Sequence, residues 1–225
     1  MTIISILGGT GHEGSGLGLR WAKAGHSIII GSRAKEKADA AAAELNSKSG
    51  LHPRPDSRWI PVRGMDNAAA AKEGDIVVLA VPYSAHAATI ESVKDAVQGK
   101  IFVDVTVPLV PPKVSRVQMP AAGSASQEAQ NLLGPNVKVV TAFQNISAEH
   151  LKDSDHPIDC DVLVCGDDKD AKAVVIALAT DARIKAWDAG PLANAVIPEG
   201  LTSVLIGLNL RYKVKFSGIR ITGIE

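Results

Sequence analysis

A glycine-rich loop at residues 8–14 has the residue types and spacing that bind a dinucleotide. It reads Gly-Gly-Thr-Gly-His-Glu-Gly, and Gly9, Gly11 and Gly14 match the pattern G-x-G-x-x-G. Gly9 is expected to permit the tight turn, Gly11 to let a pyrophosphate approach the backbone, and Gly14 to let a helix pack on the preceding strand. The N–H groups of that helix would hold the phosphates, with Thr10 and His12 beside them. A strand–turn–helix with merely flexible glycines is the alternative interpretation.

Residues about 20 positions further on indicate which dinucleotide is bound. An NAD enzyme usually carries Asp or Glu there, at the end of the second strand, to bind the ribose hydroxyls. This chain has Gly31-Ser32-Arg33, followed by Lys37 one helical turn later. Ser32 can donate a hydrogen bond, and the Arg33 guanidinium can form a forked pair with a 2′-phosphate. The pattern favours NADP(H), and a helix-capping Ser32 with a solvated Arg33 is the alternative.

A third candidate group follows the apolar run at residues 76–81. Ligands of doubly wound sheets lie at the carboxyl ends of strands, so Val81, Pro82 and Tyr83 are expected to flank the ribose or nicotinamide. Residues 107–109 end the following apolar run and are expected to line the same cleft. Ordinary loop packing is the alternative for both segments.

Alternating apolar runs and helical patterns must position these residues. The alternation predicts parallel strands with right-handed crossovers, and hence an α/β Rossmann fold with a doubly wound, mostly parallel sheet. Because the pattern changes near residue 150, we expect a Rossmann domain at 1–150 and a small C-terminal α/β domain at 151–225. Strands are predicted at 3–7, 27–30, 59–62, 76–81, 101–107, 137–143, 160–165 and 184–187, and helices at 17–24, 35–45, 66–72, 86–97, 124–133, 170–180 and about 191–210, with a loop at 47–56.

Composition limits the classes of function. The 225 residues include 24 Lys+Arg and 24 Asp+Glu, and this zero net charge gives no reason to expect binding to nucleic acid or to a membrane surface. No apolar run is expected to reach the roughly 20 residues of a membrane span. The N-terminus reads as a strand rather than a signal peptide, so we expect a cytoplasmic protein. The histidines lack metal-ligand spacing, and Cys160 and Cys165 are expected on opposite faces of one strand, without a disulfide or a metal.

Four ordered motifs carry a resemblance to a known family. They are residues 7–11 (Leu-Gly-Gly-Thr-Gly), 31–33 (Gly-Ser-Arg), 164–168 (Val-Cys-Gly-Asp-Asp) and 188–192 (Asp-Ala-Gly-Pro-Leu). The chain resembles, nearly end to end, the NADPH:coenzyme F-420 oxidoreductases, which exchange hydride between NADP(H) and the 8-hydroxy-5-deazaflavin coenzyme F-420 (F420). More distantly, it is similar to the oxidoreductase domain of the STEAP metalloreductases. The resemblance implies a homodimer in which nicotinamide and deazaflavin stack face to face between two domains.

The resemblance also assigns residues to the two cofactors. Those implied to contact NADP are Thr10, Gly11, Ser32, Arg33 and Lys37, together with Val81, Tyr83, Ala87 and Ala148. Those implied to approach the deazaflavin are Gln144, Asn145, Ile146, Ser147 and Ser217. One departure concerns the second substrate, because family members carry His-Thr-Ile-Pro-Ala where residues 144–148 read Gln-Asn-Ile-Ser-Ala.

No catalytic side chain is expected, because hydride passes directly between the two cofactors. The protein then supplies proximity, orientation and exclusion of water. Two other functions stay open. The changed segment at 144–148 would suit an NADP-dependent reductase of another flavin or of a small imine or carbonyl, with Tyr83 or His86 as the nearest proton donor. A non-enzymatic NADP-sensing regulator would bind the cofactor and turn nothing over.

Charged residues in the C-terminal third allow further interpretations. Asp167 and Asp168 follow a predicted strand and are expected to cap the next helix rather than to act in catalysis. Four cations near the C-terminus form either a solvated face or a contact for the anionic tail of a deazaflavin. These cations are Arg211, Lys213, Lys215 and Arg220.

Overall fold

A computed structural model describes residues 2–48 and 60–224, in which strands and helices alternate. The strands are β1 (Ile3–Leu7), β2 (Ser27–Ser32), β3 (Arg63–Asp66), β4 (Ile76–Leu79), β5 (Ile101–Asp104), β6 (Lys138–Thr141), β7 (Val162–Gly166) and β8 (Ala186–Asp188). The helices are α1 (His12–Lys23), α2 (Lys35–Ser47), α3 (Asn67–Glu73), α4 (Tyr83–Val93), α5 (Ala125–Leu133), α6 (Ala148–Lys152), α7 (Lys169–Asp181) and α8 (Val196–Tyr212), with 3₁₀ turns at Lys94–Val97 and Leu192–Ala195.

The strands of these ranges form one sheet in the order β3-β2-β1-β4-β5-β6-β7-β8. Neighbouring strands are parallel except for β6 and β7, which pair antiparallel with Val140 opposite Gly166. The strand order reverses between β1 and β4, and doubly wound sheets bind ligands in the crevice at that point. The predicted α/β fold with a mostly parallel, doubly wound sheet is therefore confirmed.

The central strands are apolar because helices cover the sheet on both faces. Ile4 and Ile6 of β1, Ile30 of β2 and Val78 of β4 are fully buried. Removing such a side chain from water contributes about 1.5–3 kcal/mol. The buried Trp21 of α1 packs against the same core, and its Nε1 donates to the Leu178 carbonyl of α7 at 2.7 Å. These contacts hold α1 against the sheet core and against α7.

The third strand lies later than the sequence predicts. Residues 60–62 of the predicted strand at 59–62 are not in a strand, Trp59 lies outside the described residues, and β3 begins at Arg63. Among the described residues this edge strand pairs only with β2, and α2 passes so close that a Cβ on Gly64 would collide with the Asp39 backbone. The position of β3 is therefore set by this close approach rather than by apolar content. The predicted loop at 47–56 lies largely outside the described residues, and Ser47 ends α2.

The short helix α6 has no counterpart among the predicted elements. Its buried Leu151 packs on α1 at Gly16, where a Cβ would come within 2.5 Å of the Leu151 Cβ. Arg20 of α1 is 3% exposed and binds carbonyl groups within this helix and just after it. Its guanidinium donates to the carbonyls of His150, Leu151, Asp153, His156 and Ala182. Contacts with α1, which local sequence does not reveal, thus hold α6 in place.

The other predicted elements are confirmed with shifted ends, α1 beginning at His12 rather than at residue 17. β7 and β8, which belong to the predicted C-terminal domain, extend the sheet that β1–β6 begin. The division into 1–150 and 151–225 stays a prediction. Cys160 precedes β7 instead of lying in it, and Cys160 and Cys165 are both buried and free.

One helical stretch corrects the expectation about apolar runs. Leu192–Tyr212 comprises 21 residues with mean hydropathy 1.2 in its most apolar window, long and apolar enough by those measures to span a membrane. The sequence does not show this stretch as one continuous apolar run, because Pro198 and Glu199 interrupt its first half. In the fold, Pro198 lies in the first turn of α8, and the fully buried Glu199 binds the start of α5. These contacts make α8 an element of the folded protein.

Candidate functional site

In the turn after β1, the residue whose backbone conformation requires glycine is Gly8 and not, as predicted, Gly9. Gly8 has φ +75°, and a Cβ there would lie 2.5 Å from the Ala80 carbonyl oxygen. Gly9 has no such backbone requirement, but its Cβ would lie 2.8 Å from the Ile6 carbonyl oxygen. Both glycines are therefore needed, the first for backbone conformation and the second for packing.

The start of α1 leaves room and free donors for an anion. A Cβ on Gly11 would meet only the Gly8 carbonyl oxygen, at 3.5 Å, whereas one on Gly14 would lie 2.8 Å from the Gly9 Cα. Gly14 thus permits close packing of helix and strand, as predicted, and Gly11 borders open space. Because no side chain caps the helix at Gly11, the leading N–H groups of α1 remain available.

The end of β2 presents a hydroxyl and two cations. The Ser32 Oγ accepts a hydrogen bond from the Ala34 N–H at 3.3 Å, which leaves its own proton free for a further acceptor. Arg33 and Lys37 are exposed, and neither has a carboxylate within salt-bridge distance among the described residues. The neighbouring Lys35 is instead bound to Asp39 at 2.6 Å. An incoming phosphate would therefore meet uncompensated positive charge.

These groups border one cavity of about 250 Å³, here called the dinucleotide cavity. Seven of its lining residues are among the predicted NADP contacts: Thr10, Gly11, Ser32, Arg33, Lys37, Val81 and Pro82. Gly8, also in the lining, belongs to the predicted glycine loop, whereas five others were not predicted: Ala34, Asn67, Ala80, Ala85 and Thr89. The hydroxyl of Thr89 and the amide of Asn67 carry no local sequence signal, because their place in the cavity depends on how α3 and α4 pack.

Five further residues predicted to bind NADP lie outside the lining of this cavity: Gly9, His12, Tyr83, Ala87 and Ala148. His12 Nδ1 is 3.1 Å from Glu149 Oε1, an exposed pair that links the loop to α6. Tyr83 donates its hydroxyl to Glu128 Oε2 at 2.9 Å, and burial, followed by this hydrogen bond, raises the pKa of Tyr83 to about 12. Ala87 is exposed on α4, and Ala148 is the first residue of α6.

A second cavity of about 140 Å³, here called the C-terminal cavity, gathers every residue predicted to approach the deazaflavin. Those residues are Gln144, Asn145, Ile146, Ser147 and Ser217. The rest of the lining comes from α8 and the tail after it: Thr202, Leu205, Ile206, Asn209, Lys215 and Phe216. Of the four C-terminal cations, Lys215 is in this lining, while Arg220 pairs with Asp159.

The side chain of Gln144 is held in one orientation at the C-terminal cavity. Its Nε2 donates to the Asp104 carbonyl at 2.7 Å and to Thr141 Oγ1 at 2.5 Å, and the residue is 4% exposed. Its Oε1 is enclosed and has no hydrogen-bond partner among the described residues. The Thr202 hydroxyl binds the Gln144 backbone carbonyl at 2.8 Å, which ties this segment to α8.

The tail beyond α8 is anchored at residues 160 and 161. The Asp161 N–H donates to the Ile219 carbonyl at 2.8 Å, and Asp161 Oδ2 accepts from the Ile221 N–H and from Trp187 Nε1. The Ser217 N–H donates to Asn209 Oδ1 at 3.0 Å. These bonds fix the wall of the C-terminal cavity formed by residues 215–217.

Three ionisable residues, His86, Asp104 and Glu199, are buried in the fold. His86 Nε2 is 2.7 Å from Asp104 Oδ2, and both residues are at most 1% exposed. Burial disfavours the charged imidazole, but the Asp104 hydrogen bond and charge outweigh burial and raise the pKa of His86. Burial raises the pKa of Glu199 to about 7, although hydrogen bonds from the Ser126 and Ala125 N–H groups act to lower it.

The two aspartates that follow β7 have structural partners. Asp168 caps α7 as predicted, and Asp167 accepts a hydrogen bond from the Leu192 N–H.

The fold and the glycine loop together define a Rossmann-type dinucleotide-binding protein. A family model described as "NADP oxidoreductase coenzyme F420-dependent" matches residues 3–108. The F420-dependent NADP reductase of Methanocaldococcus jannaschii is 46% identical over 229 aligned positions, which cover 99% of each chain. The chain belongs to the family of the F420-dependent NADP reductases.

Two further comparisons agree with this family. A solved structure from Arthrobacter sp. FB24, provisionally described as an F420-dependent NADP reductase, has a TM-score of 0.72 at 28% identity and covers 99% of each chain. Metalloreductase STEAP3 of Rattus norvegicus is 29% identical over 192 residues, which are 85% of this chain and 34% of the relative. The predicted distant similarity to the metalloreductases is thereby confirmed.

Proposed function

We propose that this protein transfers a hydride between NADP(H) and coenzyme F420, the reaction for which its family is named. The observation that carries the proposal is the pair of cavities. One follows a glycine loop and a Ser-Arg-x-x-x-Lys group, and the other collects the residues assigned to the deazaflavin. The 46% identity with a named F420-dependent NADP reductase over the whole chain supports both substrates.

NADP(H) binds in the dinucleotide cavity in this proposal. The start of α1 receives the pyrophosphate, since Gly11 borders open space and the leading N–H groups lack a cap. Ser32, Arg33 and Lys37 receive the 2′-phosphate, because a hydroxyl and two exposed cations suit that dianion. Val81 and Pro82, which follow β4, contact the ribose that carries the nicotinamide.

F420 binds in the C-terminal cavity. The enclosed Oε1 of Gln144, which has no partner among the described residues, is an acceptor that an N–H group of the deazaflavin ring can satisfy, so the residue present fits this group. Ile146, Leu205 and Phe216 provide apolar walls for the ring. Lys215 supplies a cation for the anionic tail of the coenzyme.

The bound cofactors supply the hydride donor and the hydride acceptor. The chain contributes binding, orientation and exclusion of water, which together hold two reactants at reacting distance. The orientation depends on α1, which carries the phosphate loop and holds α6 through Arg20 and Gly16. No catalytic acid or base is assigned.

The geometry gives little support to reduction of a small imine or carbonyl. Such a reaction needs a proton donor beside the hydride acceptor. The Tyr83 hydroxyl is bound to Glu128, and His86 is buried against Asp104 at 1% exposure. Neither residue is in the lining of the two cavities.

We also propose that the protein is a cytoplasmic homodimer. Apolar residues recur on α8 at Ile197, Leu201, Val204 and Leu208, a spacing that forms one stripe along a helix. Ile197 is 60% exposed and Val204 is 47% exposed. An exposed apolar stripe of this kind suits a second copy of the chain.

The direct test is to mix purified protein with NADPH and oxidised F420 and to follow the visible absorbance of the deazaflavin. Bleaching with NADPH, and much slower bleaching with NADH, is the expected result. Binding of NADPH without bleaching would refute the second substrate and keep the first cavity. Flavins and small carbonyls would then be the substrates to examine.

A further inference from the structure

Asn67 is a polar residue of the dinucleotide cavity that the proposed function leaves unused. It is the first residue of α3, directly after β3, and it is 7% exposed. It shares the cavity lining with Ser32 and Arg33. Its neighbour Asp66 already caps α3 by accepting from the Ala69 N–H at 2.9 Å, so Asn67 is not required for capping.

The end of β2 makes room for this amide. In the parallel register, Ser32 lies opposite Asp66, which places Asn67 just beyond the end of β2. A Cβ on Gly31 would lie 2.9 Å from Asn67 Oδ1, closer than a side chain tolerates. Gly31 has no positive φ that would require glycine, so its lack of a side chain reflects this crowding, to which the Leu7 side chain at 3.1 Å and the Ile6 carbonyl oxygen at 3.2 Å also contribute.

The amide is short of hydrogen bonds. Its Oδ1 is enclosed and has no partner among the described residues. A buried acceptor without a donor destabilises a fold by about 1–3 kcal/mol. Such a group calls for an explanation, and a ligand that supplies the missing donor is the one that its place in the cavity favours.

We propose that the Asn67 amide binds the 3′-hydroxyl of the adenosine ribose of NADP(H). The ribose is the part of the cofactor nearest to the group that receives its 2′-phosphate, and Asn67 borders the same cavity as Ser32 and Arg33. A hydroxyl both donates and accepts, so it pairs with either end of a side-chain amide. The 2′-phosphate, by contrast, offers only acceptors and would leave Oδ1 unsatisfied. The inference rests on the proposed binding of NADP(H) in this cavity.

The ribose 3′-hydroxyl is common to NADPH and NADH, and this sets the test. The Kd values of both cofactors are measured by fluorescence titration without F420, for the unchanged protein, Asn67→Ala and Arg33→Ala. Loss of one neutral hydrogen bond corresponds to roughly a five- to tenfold weaker affinity. Asn67→Ala is expected to weaken NADPH and NADH by the same factor, whereas Arg33→Ala weakens NADPH alone.

Asp66→Ala is the matched control, because it removes the cap of the same helix and keeps the amide. It is expected to lower Tm while leaving both Kd values unchanged. A loss confined to NADPH in Asn67→Ala would assign the amide to the 2′-phosphate and overturn the proposal. Unchanged affinities in Asn67→Ala would also overturn it. Failure of the unchanged protein to bind NADPH would instead refute the proposed function.

Discussion

Arg33 is the residue on which discrimination between NADPH and NADH is expected to depend. It is exposed at the dinucleotide cavity and has no carboxylate partner among the described residues, so a 2′-phosphate is its natural counter-charge. Charge-assisted hydrogen bonds contribute about 1.5–3 kcal/mol. Arg33→Ala is therefore expected to raise the KM for NADPH roughly 10- to 100-fold and to leave the KM for NADH unchanged.

Steady-state rates with each cofactor at saturating F420 measure this effect. Lys35→Ala is the control, because Lys35 is an exposed cation two residues away that is already paired with Asp39. An equal loss for both cofactors in Arg33→Ala would contradict the assignment.

Glu13, inside the phosphate loop, gives a prediction about pH and stability. Its Oε1 is enclosed and has no hydrogen-bond partner in the part of the chain that the structure describes, and burial raises the pKa of Glu13 from 4.5 to about 8. Ionisation of this group is thus unfavourable in the folded state. The loss of stability begins above pH 4.5 and is complete near pH 8, because the folded pKa exceeds the unfolded one.

Glu13→Gln is therefore expected to raise Tm at pH 8 and to change it little at pH 5. Each kcal/mol corresponds to roughly 2–4 °C in a protein of this size. Thermal unfolding at the two pH values, with the exposed Glu36→Gln as control, measures the difference. A gain that is equal at both pH values would show that the pKa of Glu13 is the same in the folded and the unfolded protein, and would contradict the prediction.

Residues at strand ends could be predicted from the sequence, and residues brought in by packing could not. Ser32 and Arg33 follow an apolar run at a fixed distance from the glycine loop, so spacing alone locates them. Asn67 and Thr202 reach their cavities through the placement of α3 and α8. The glycine loop was predictable only in part. Its motif identifies the turn correctly, but the glycine with a positive φ is Gly8 and not Gly9.

At the scale of elements, the tail after α8 is expected to control binding of F420. Asp161 Oδ2 accepts from both the Ile221 N–H and Trp187 Nε1, at 2.9 and 2.8 Å. In Asp161→Asn, one of these donors can be left facing an amide N–H₂ group. The tail then loosens at the wall of the C-terminal cavity, so the KM for F420 is expected to rise several-fold while the Kd for NADPH is unchanged.

Asp159→Asn is the matched control, because Asp159 pairs with Arg220 in the same tail and both residues are largely exposed. Exposed pairs contribute little to stability. Kinetics with varied F420 and direct titration with NADPH separate the two effects. A rise in the Kd for NADPH in Asp161→Asn would mean that the substitution disturbs the whole fold.

Elements that bury a continuous apolar face were predictable, whereas elements set by single tertiary contacts were not. The sequence shows runs rich in Ile and Val at four strands, β1, β2, β4 and β5. α6 has five residues and depends on Arg20 and Gly16 of another helix. β3 carries the polar run Arg-Gly-Met-Asp, and its place at the sheet edge is set by its approach to α2.

For the molecule as a whole, the apolar stripe on α8 is expected to join two copies. Val204→Glu places a charge in the middle of that stripe, where Val204 is 47% exposed. The substitution is expected to convert a dimer to a monomer, as sedimentation would measure. Val174→Glu on α7, where Val174 is 38% exposed, is the matched control. A monomer for the unchanged protein, or an unaffected dimer for Val204→Glu, would contradict the proposed interface.

The central position of β1 has a consequence for synthesis on the ribosome. β1 is completed by the chain first, yet its neighbours are β2 and the much later β4, in which Ile76 pairs with Ile4. One side of an apolar strand therefore stays unpaired until residues 76–79 have left the exit tunnel. Unpaired apolar edges favour association between nascent chains, and parallel pairings distant in sequence form slowly. Chaperones that hold emerging chains are thus expected to raise the yield of this protein more than a lower translation rate would.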